Sequence, residues 1–423
     1  MFSSGLQKVA VLGGVRTPFA RARGTYATDT NRALLTAALD GLAARFDLAG
    51  ERVDEVVAGA VVKHSSDFNL TRECVLDSCL DPTTPAHDVQ QACATGLQAV
   101  VTAAAKIAVG ATESAVAGGT DTMSDVPMAL GAGLRRALTE ARFSRGVSGR
   151  VRALSRLRPR DFAPTVVHPD TRTGHSMGEH VAVSARLWGI GREEQDELTL
   201  TSHRRLAAAY RSGFMEDLIV PYRGLTVDEV LRPDTSMEQL ARLKPVFGRA
   251  EPNATMTAGN STPLTDGAAT VLLANDAWAR ARGLAPLAYL TAFDSAAVDY
   301  AGQPEDPLEG MMMGPAHVVP RLLRRVGLGI EDFDFIEVHE AFAAHVLAVL
   351  AAWEKAGLAP VPRERLNVAG SSLATGHPFA ATGVRIVSTL AKLLAERDGR
   401  RGLLCLGAAG GLGMAAILER PPS

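Results

Sequence analysis

A single cysteine, Cys93, stands between a short segment that alternates apolar and polar residues, 88–92, and an alanine-rich stretch typical of a helix. A thiol at a helix N-terminus suits a nucleophile, because backbone N–H groups and the helix dipole favour the thiolate that attacks carbonyl carbon. A cysteine beside alanine is, taken alone, more often a small buried apolar residue. The interpretation of Cys93 as a nucleophile therefore depends on what else the chain offers.

Two histidines in loops offer the base that a thiol nucleophile needs. His339 follows a predicted strand, residues 333–338, and His377 lies in a loop with Gly and Pro before a predicted helix. Site residues of α/β folds commonly follow strands in this way. A Gly-rich turn, residues 405–413, can bring backbone N–H groups to a ligand oxygen. Together with Cys93 these loops indicate nucleophilic acyl transfer, although one isolated loop histidine would more often be structural.

Length and composition are those of a folded globular protein. The chain has 423 residues, of which 47% are hydrophobic and 21% charged, enough for two or three domains. Five Tyr, three Trp and a net charge of −2 argue against nucleic-acid binding. The four cysteines, at 74, 79, 93 and 405, have neither zinc-site nor disulfide spacing, so we expect no metal and a reducing cytoplasm. Residues 1–7 are too few and too polar to predict a signal peptide, and no apolar run reaches roughly 20 residues, so we expect neither export nor a membrane span.

Strand-like and helix-like segments alternate in the first and the last third of the chain. The first third predicts strands at 8–12, 53–61 and 114–119 and helices at 30–46, 69–79 and from Cys93 to about 109. The last third predicts strands at 287–292, 333–338, 403–407 and 414–419 and helices at 315–326 and 341–350. Between them, 178–210 is predicted helical, 221–252 extended and 268–274 a buried strand. This order predicts an α/β protein with two related halves and helices on both faces of the sheet.

Residues 135–160 have a composition unlike the rest of the chain. They contain nine arginines and one acidic residue, Glu140, which gives a net charge of +8 and leaves about −10 for the remainder. This charge predicts an anionic ligand: the phosphates of a nucleotide-like cofactor, an anionic membrane surface or an acidic partner protein. A solvated basic face without a ligand is the alternative.

The combination of motifs resembles the thiolase family, and within it the long-chain 3-ketoacyl-CoA thiolases of the trifunctional β-subunit type. The resemblance covers nearly the whole chain. Its motifs are Arg16-Thr17-Pro18-Phe19, the Cys93 segment, residues 118–127, Ser176-Met177-Gly178, residues 194–197, Leu243-Lys244-Pro245, residues 257–267, His339-Glu340-Ala341-Phe342 and Gly376-His377-Pro378. His339, where many other thiolases have Asn, and Met123-Ser124-Asp125-Val126-Pro127 favour the trifunctional-type branch.

This resemblance implies a thiolase fold: two similar βαβαβαββ halves in a layered α/β/α/β/α arrangement, with a lobe inserted in the first half. We expect the first half to comprise residues 1–128 and 251–280. The inserted, basic CoA-binding lobe is then residues 129–250, and the second half is residues 281–423.

The resemblance also implies an acetyl-CoA acyltransferase that cleaves 3-ketoacyl-CoA with CoA in fatty-acid β-oxidation. His377 takes the proton of Cys93, the thiolate attacks the keto carbon, and His339 holds the thioester oxygen of the departing enolate. The backbone N–H groups of Cys93 and Ala409 form the oxyanion hole for the second step. CoA is a substrate, with no tightly bound cofactor, and the expected CoA contacts are Met177, Thr262, Arg135 and Arg136.

One position departs from the family pattern. The final loop of thiolases begins with a second catalytic cysteine, and here Gly407 stands at that place. Cys405 lies two residues earlier, on the same face of a strand but displaced by about 6.6 Å. Either the loop shifts so that Cys405 serves, or water transfers the proton, or thiolysis is impaired.

Three functions stay open from the sequence. They are thiolysis, the reverse Claisen condensation for biosynthesis, and a low-turnover acyl-CoA-binding subunit suggested by Gly407. The expected partners are a second copy of the chain and a hydratase/dehydrogenase subunit. We also expect peripheral membrane contact, because Leu134, Ala137, Leu138 and Ala141 form an apolar stripe beside the arginines.

Overall fold

Two sets of strands with helices between them make up the protein, as seen in a computed structural model that describes residues 5–128, 130–162, 170–251, 253–303 and 305–421. The first half contains β1 (Ala10–Arg16), β2 (Ala20–Arg21), α1 (Asn31–Phe46), β3 (Val56–Ala58), α2 (Leu70–Asp77), β4 (Ala86–Asp88), α3 (Thr95–Ala108) and β5 (Ser114–Asp121). Then follow α4 (Ala132–Phe143), α5 (Val147–Leu154), α6 (Met177–Leu187), α7 (Arg192–Arg211), α8 (Met237–Ala241), β6 (Thr265–Ala274) and α9 (Asp276–Ala281). The second half contains β7 (Ala288–Ala297), α10 (Gly314–Val326), β8 (Phe335–Val338), α11 (Ala343–Lys355), α12 (Ser372–Thr375), α13 (Phe379–Glu396), β9 (Arg401–Ala408) and β10 (Leu412–Glu419).

The two halves repeat one strand order. The main sheet runs β4-β3-β5-β6-β1-β7-β10-β9-β8, and only the short pairing of β1 with β7 joins its two parts. From the edge inwards, the first part consists of β4, β3, β5, β6 and β1, which are the third, second, fourth, fifth and first of these five strands in chain order. The second part has the same order, except that its edge strand is reduced to the bridge between Ile336 and Leu366. The predicted duplication of an α/β unit is therefore confirmed.

Three apolar cores separate the layers. The central core lies between the two parts of the sheet and contains α3, α13 and the side chains of Leu404, Leu406 and Ala408 from β9. The intervening residues of β9, Leu403 and Cys405, face the C-terminal outer core with α10 and α11. An N-terminal outer core packs α1 and α2 against the other part of the sheet. The layers are thus α/β/α/β/α, as predicted.

The central helices α3 and α13 touch backbone to backbone where they cross. A Cβ atom on Gly96 would lie 2.2 Å from the carbonyl oxygen of Ala380, and one on Gly383 would lie 2.4 Å from the amide nitrogen of Leu97. Since real Cβ atoms do not approach backbone so closely, only glycine fits at these two positions. Cys93 precedes α3 and His377 precedes α13, so this crossing sets the spacing of the two loops.

The middle of the chain differs from its predicted outline. The helix predicted over 178–210 is two helices, α6 and α7, because the chain turns at Gly189 with a φ of +64°. Residues 177–251 belong to the same compact unit as both halves. A separate small unit comprises only residues 126–176 and contains α4 and α5. The predicted lobe, 129–250, overlaps this small unit only over residues 129–176.

The small unit has few buried side chains. Ala137, Ala141 and Ala153 are its buried apolar residues among those described, so its two helices pack through alanine. Its arginines at 135, 136, 142, 145, 150, 152, 156, 158 and 160 lie on or next to these helices. Arg156 pairs with Glu140 across 3.3 Å.

Candidate active site

The loop that carries Cys93 is held in an unusual conformation before α3. Ala92 has a φ of +46°, a left-handed conformation that costs a non-glycine residue on the order of 1 kcal/mol or more. Thr95 stabilises it, since its hydroxyl donates to the carbonyl of Ala92 (2.7 Å) and accepts from the N–H of Gln91 (2.8 Å). α3 begins at Thr95, so Cys93 lies just outside the first helical turn.

Cys93 is a neutral thiol in the resting protein. Burial raises its pKa to about 12 against the opposing effect of two backbone N–H groups, those of Ala409 and Cys93 itself, which contact the sulfur; the nearby Asp121 carboxylate raises it further. The expectation that the helix N-terminus favours the thiolate is therefore wrong for the unliganded site, because desolvation outweighs the stabilisation of the thiolate by these two N–H groups. The two N–H groups are those predicted for the oxyanion hole.

His339 stands at the end of β8, where a single asparagine fixes the backbone. The side chain of Asn367 accepts from the N–H of Val338 (2.8 Å) and donates to its carbonyl (2.9 Å), closing the strand end from the side. The N–H of His339 donates to the carbonyl of Cys405 on β9 (3.0 Å). His339 is fully buried as a result.

His339 and His377 contact each other directly. Their Nε2 atoms are 3.3 Å apart and their ring centroids 4.2 Å apart. His377 is 4% exposed, so the pair is shielded from bulk water. The structure thus brings together the two histidines that lie 38 residues apart in sequence.

Hydrogen bonds on both sides of the pair connect it to Arg385 and Thr382, and they fit the following placement of the protons. Arg385 Nη2 donates to Ser372 Oγ (2.9 Å), which leaves the serine proton free to donate to His339 Nδ1 (2.9 Å). The proton of His339 is then on Nε2 and donates to His377 Nε2. His377 in turn carries its proton on Nδ1 and donates to Thr382 Oγ1 (2.6 Å). In this placement of the protons, one of two that fit the same distances, His339 is the donor and His377 carries the lone pair.

Both imidazoles are neutral near pH 7. Burial, followed by the charge of Arg385, lowers the pKa of His377 to about 3. Burial also lowers the pKa of His339 well below its ordinary value, helped by the neighbouring His377 and Arg385. Neutral imidazole is the form that can accept a thiol proton.

Two buried carboxylates hold the loops around the pair. Glu340 accepts from Ser202 Oγ (2.6 Å) and from the Asn367 amide (2.7 Å) and so joins α7 to the His339 loop. At the end of β5, Asp121 accepts from the N–H groups of Val62 (2.7 Å) and Ala380 (2.8 Å). Burial raises the pKa of Asp121 to about 7, partly offset by these bonds. Asp121 thereby ties the start of α13 to the first half of the protein.

Cys405 does not face Cys93. Its side chain lies in the C-terminal outer core, whereas Cys93 packs against the central core on the other face of the sheet. Burial raises the pKa of the Cys405 thiol well above its ordinary range. The register of β9 with β10, in which Gly407 pairs with Gly413, is regular, so no shift of the strand moves Cys405 to the place of Gly407.

Thr262 and Met177, predicted CoA contacts, lie on segments next to the histidine pair. The hydroxyl of Thr262 donates to the carbonyl of Ser372 (2.8 Å), and its N–H donates to the carbonyl of Ala341 (3.0 Å). Met177 opens α6 and packs against the C-terminal outer core. Arg135 and Arg136, in the small unit, are exposed and line a groove of about 520 Å³.

A cleft of about 570 Å³ lies beside the Thr262 loop. Its polar lining includes Arg21, Arg232, His203 and Ser261, and its apolar lining includes Leu243. The hydroxyl of Ser261 is buried without a hydrogen-bond partner. Within the described residues no three His, Cys, Asp or Glu side chains are grouped to hold a metal ion. No described helix is long and apolar enough to cross a membrane.

Comparison with known protein families identifies the family of this chain. The sequence profile described as Thiolase, N-terminal domain, matches residues 9–277, and that described as Thiolase, C-terminal domain, matches residues 284–420. The chain belongs to the thiolase family. This confirms the resemblance of the motifs; the first profile ends within α9, and the second begins between α9 and β7.

Relatives of similar length accompany these matches. The 3-ketoacyl-CoA thiolases of Yersinia pestis and Yersinia pseudotuberculosis are 38% identical over 434 aligned residues, covering 97% of this chain and 97% of each relative. The crystal structure of the Bacillus anthracis acetyl-CoA acetyltransferase is 32% identical, with a TM-score of 0.84, over 99% of this chain and all of that one. That of human mitochondrial 3-ketoacyl-CoA thiolase in complex with CoA is 28% identical, with a TM-score of 0.81, over 98% of both chains. The predicted thiolase fold is confirmed.

Several residues that shape this thiolase site were not singled out from the sequence. They are Asp121, Ser202, Asn367, Ser372, Thr382 and Arg385. For two of them a signal existed: Thr382 and Arg385 are three residues apart, and once a helix is predicted after His377 they fall on one of its faces.

Proposed function

We propose that this thiolase cleaves 3-ketoacyl-CoA with free CoA, giving acetyl-CoA and a shortened acyl-CoA through an acyl-Cys93 intermediate. The observation that carries the proposal is the buried contact between the neutral imidazoles of His339 and His377, in a site that also directs two N–H groups at Cys93.

In the first half-reaction the proton of Cys93 passes to His377 Nε2 as the sulfur attacks the 3-keto carbon. The bond between C2 and C3 then breaks, and the electron pair moves into the thioester as an enolate. His339 Nε2–H donates to the enolate oxygen, because it is the one proton of the pair that points outward once substrate separates the rings. Acetyl-CoA leaves after C2 receives the Cys93 proton from the His377 imidazolium.

In the second half-reaction the sulfur of CoA attacks the acyl-Cys93 thioester. The negative charge that develops on the thioester oxygen is stabilised by the backbone N–H groups of Cys93 and Ala409. Collapse of the tetrahedral intermediate releases the shortened acyl-CoA and returns the Cys93 sulfur. Removing one oxyanion donor typically costs about 10²- to 10³-fold in kcat.

The cleft beside Thr262 suits the pantetheine part of CoA. Its mixed polar and apolar lining, the unpaired hydroxyl of Ser261 and the arginines 21 and 232 support this assignment. Met177 and Thr262 remain proposed contacts of the same ligand. Arg135 and Arg136 remain proposed phosphate ligands because guanidinium groups match phosphate oxygens.

Intact-protein mass measurement tests the proposal. Incubation with 3-ketoacyl-CoA should add the acyl group to Cys93 and release acetyl-CoA, and added CoA should then remove the acyl group. Cys93→Ser should lower turnover by on the order of 10³-fold or more. Cys79→Ser, at an exposed cysteine, is the matched control and should keep full activity.

Two results would contradict the proposal in different ways. Acylation without CoA-dependent release would support a low-turnover acyl-CoA-binding subunit, and no acylation of Cys93 would refute the mechanism itself. A series of substrates of several chain lengths measures the preference that the long-chain resemblance implies. The same residues would catalyse the reverse condensation, and the initial rates in the two directions compare them.

The small unit is proposed to bind an anionic membrane surface. Its large exposed apolar side chains, among nine arginines, are Met128, Leu130, Leu138, Phe143, Val147, Val151, Leu154 and Phe162. Neutralising Arg135, Arg136 and Arg142 should release the protein from phosphatidylserine vesicles but leave its weak adsorption to neutral vesicles unchanged. The control neutralises Arg52, Arg324 and Arg400, and equal binding of both triple variants would contradict this part.

The proposal includes assembly as a homodimer and with a hydratase/dehydrogenase subunit. Its support is the family resemblance alone. Light scattering of the isolated chain tests the dimer, and co-elution with the subunit tests the complex.

A further inference from the structure

The space beside Gly407 is filled by an imidazole. A Cβ atom on Gly407 would lie 2.8 Å from Nε2 of His345 and 2.5 Å from the carbonyl oxygen of Met312. Any side chain at position 407 would therefore occupy the volume that His345 now occupies. The residue that departs from the thiolase pattern and the histidine on α11 are geometrically linked.

His345 is a polar side chain in an apolar layer. It belongs to the first turn of α11 and is 1% exposed, between the sheet and the C-terminal outer core. Its Nε2 lies 3.0 Å from the carbonyl of Met312, so the ring proton is on Nε2. Its Nδ1, which then carries the lone pair, is buried and has no hydrogen-bond partner. Buried nitrogen atoms without a partner are rare in native proteins and call for an explanation.

His345 also borders the catalytic pair. Its position helps to lower the pKa of His339, and the backbone carbonyl of His339 in turn raises the pKa of His345. Burial lowers the pKa of His345 to about 4, so the ring is neutral near pH 7 and its lone pair is available. His345 is thus a third neutral imidazole beside the site, and the proposed mechanism does not yet use it.

We propose that His345 Nδ1 is the base that takes the proton of the CoA thiol in this protein, in place of a side chain at position 407. The inference rests on the proposed thiolysis. Cys405 is not an alternative, because its sulfur lies in the C-terminal outer core and has no polar partner among the bonds described.

The proton balance closes over one cycle. The S–H proton of CoA passes to His345 Nδ1, the CoA thiolate forms a bond to the acyl carbon, and the Cys93 sulfur leaves as a thiolate. The His345 imidazolium then gives its proton to this thiolate, which restores the Cys93 thiol. In the next acylation the same proton passes to His377 and from there to C2 as the bond between C2 and C3 breaks. One proton enters with CoA and leaves in acetyl-CoA.

The test separates deacylation by two kinds of thiol. Cys93 is first acylated with an aryl thioester, whose leaving thiolate needs no proton, and release is then measured with CoA and with an aromatic thiol that is already ionised at neutral pH. His345→Gln should slow release by CoA by about 10²-fold or more and change release by the aromatic thiol by less than about threefold. Glutamine keeps a donor for Met312 but cannot titrate.

His317→Gln is the matched control, because His317 on α10 likewise bonds a carbonyl, that of Leu308, at 3.0 Å. In this variant, CoA and the aromatic thiol should each release the acyl group from Cys93 at the wild-type rate. The inference is overturned if His345→Gln slows acyl release by both thiols equally, or if it does not slow acyl release by CoA. A wild-type enzyme that is never acylated, or whose acyl group CoA does not remove, refutes the proposed function instead.

A second measurement needs no variant of His345. In wild type, release by CoA should show a solvent deuterium isotope effect that release by the ionised aromatic thiol lacks. The same isotope effect for both thiols would contradict base catalysis toward CoA.

Discussion

Nε2 of His339 and Nε2 of His377 lie 3.3 Å apart and satisfy each other, one as donor and the other as acceptor. In the proposed reaction the same two atoms serve the enolate oxygen and the Cys93 thiol. In the unliganded site the donor and the acceptor therefore bond to each other, so neither buried atom is left without a partner. Each prediction below probes one part of this arrangement.

The reactivity of Cys93 should rise with pH well beyond neutrality. Its pKa is raised to about 12, so the thiolate fraction, and with it the rate of alkylation by iodoacetamide, should increase about tenfold per pH unit between pH 7 and 10. Since the pKa of His377 is lowered to about 3, no thiolate–imidazolium pair forms at rest. The measurement uses a Cys79→Ser background, and a plateau in the rate near pH 7 would contradict the prediction.

Thr382→Val should slow acylation of Cys93 without preventing folding. Valine has nearly the shape of threonine but leaves Nδ1–H of His377 without its acceptor at 2.6 Å. A buried donor left unpaired costs about 1–3 kcal/mol, which corresponds to about 5- to 150-fold in rate. Stopped-flow release of acetyl-CoA measures it. Thr389→Val, about two turns further along α13, is the control, and Cys93 should be acylated at the normal rate in it.

Ser372→Ala should change the tautomer of His339. Without the serine hydroxyl, Nδ1 no longer receives a proton from a donor and can itself carry the ring proton, so Nε2 stops donating to His377. Nitrogen-15 NMR of the imidazoles reads the tautomer directly, and turnover should fall by roughly tenfold. Ser388→Ala, whose hydroxyl bonds only the backbone of α13, should leave the spectrum of His339 unchanged.

Gly407→Ala should destabilise the protein. The added methyl group would meet the backbone of Met312 at 2.5 Å as well as His345, so strand β9 and the segment that precedes α10 must separate. Overpacking of this kind costs about 1–3 kcal/mol in the free energy of unfolding, measured by denaturant titration. Gly407→Ala combined with His345→Ala should recover part of the loss, and no recovery would show that Met312 alone sets the cost.

The sequence alone located the strand ends that carry the site but not the contacts beyond them. Cys93, His339 and His377 were found because Gly, Pro and strand patterns mark the loops around them. Asn367 and Asp121 could not be assigned, since each acts by closing backbone groups of a distant segment, which no local pattern reveals. The protonation of Cys93 was predicted wrongly because the helix dipole is visible in sequence and burial is not.

Gly407 shows where family knowledge and structure must be combined. The motif register identified the missing cysteine, and the strand pattern raised Cys405 as its substitute. Only packing shows that Cys405 points into an apolar layer and that His345 stands beside Gly407. The break between α6 and α7 occurs at Gly189, whose left-handed conformation interrupts the helical periodicity, whereas the reduced edge strand at Leu366 depends on tertiary packing that overrides the local pattern.

The glycine contacts between α3 and α13 have a consequence for how this enzyme can vary. Where side chains separate two helices, a change in side-chain size alters the distance between whatever the helices carry. At Gly96 and Gly383 the separation is the thickness of the polypeptide itself, which no substitution elsewhere in the core can change. Core side chains can therefore change in size by mutation while the spacing between the loops that carry Cys93 and His377 is inherited unaltered.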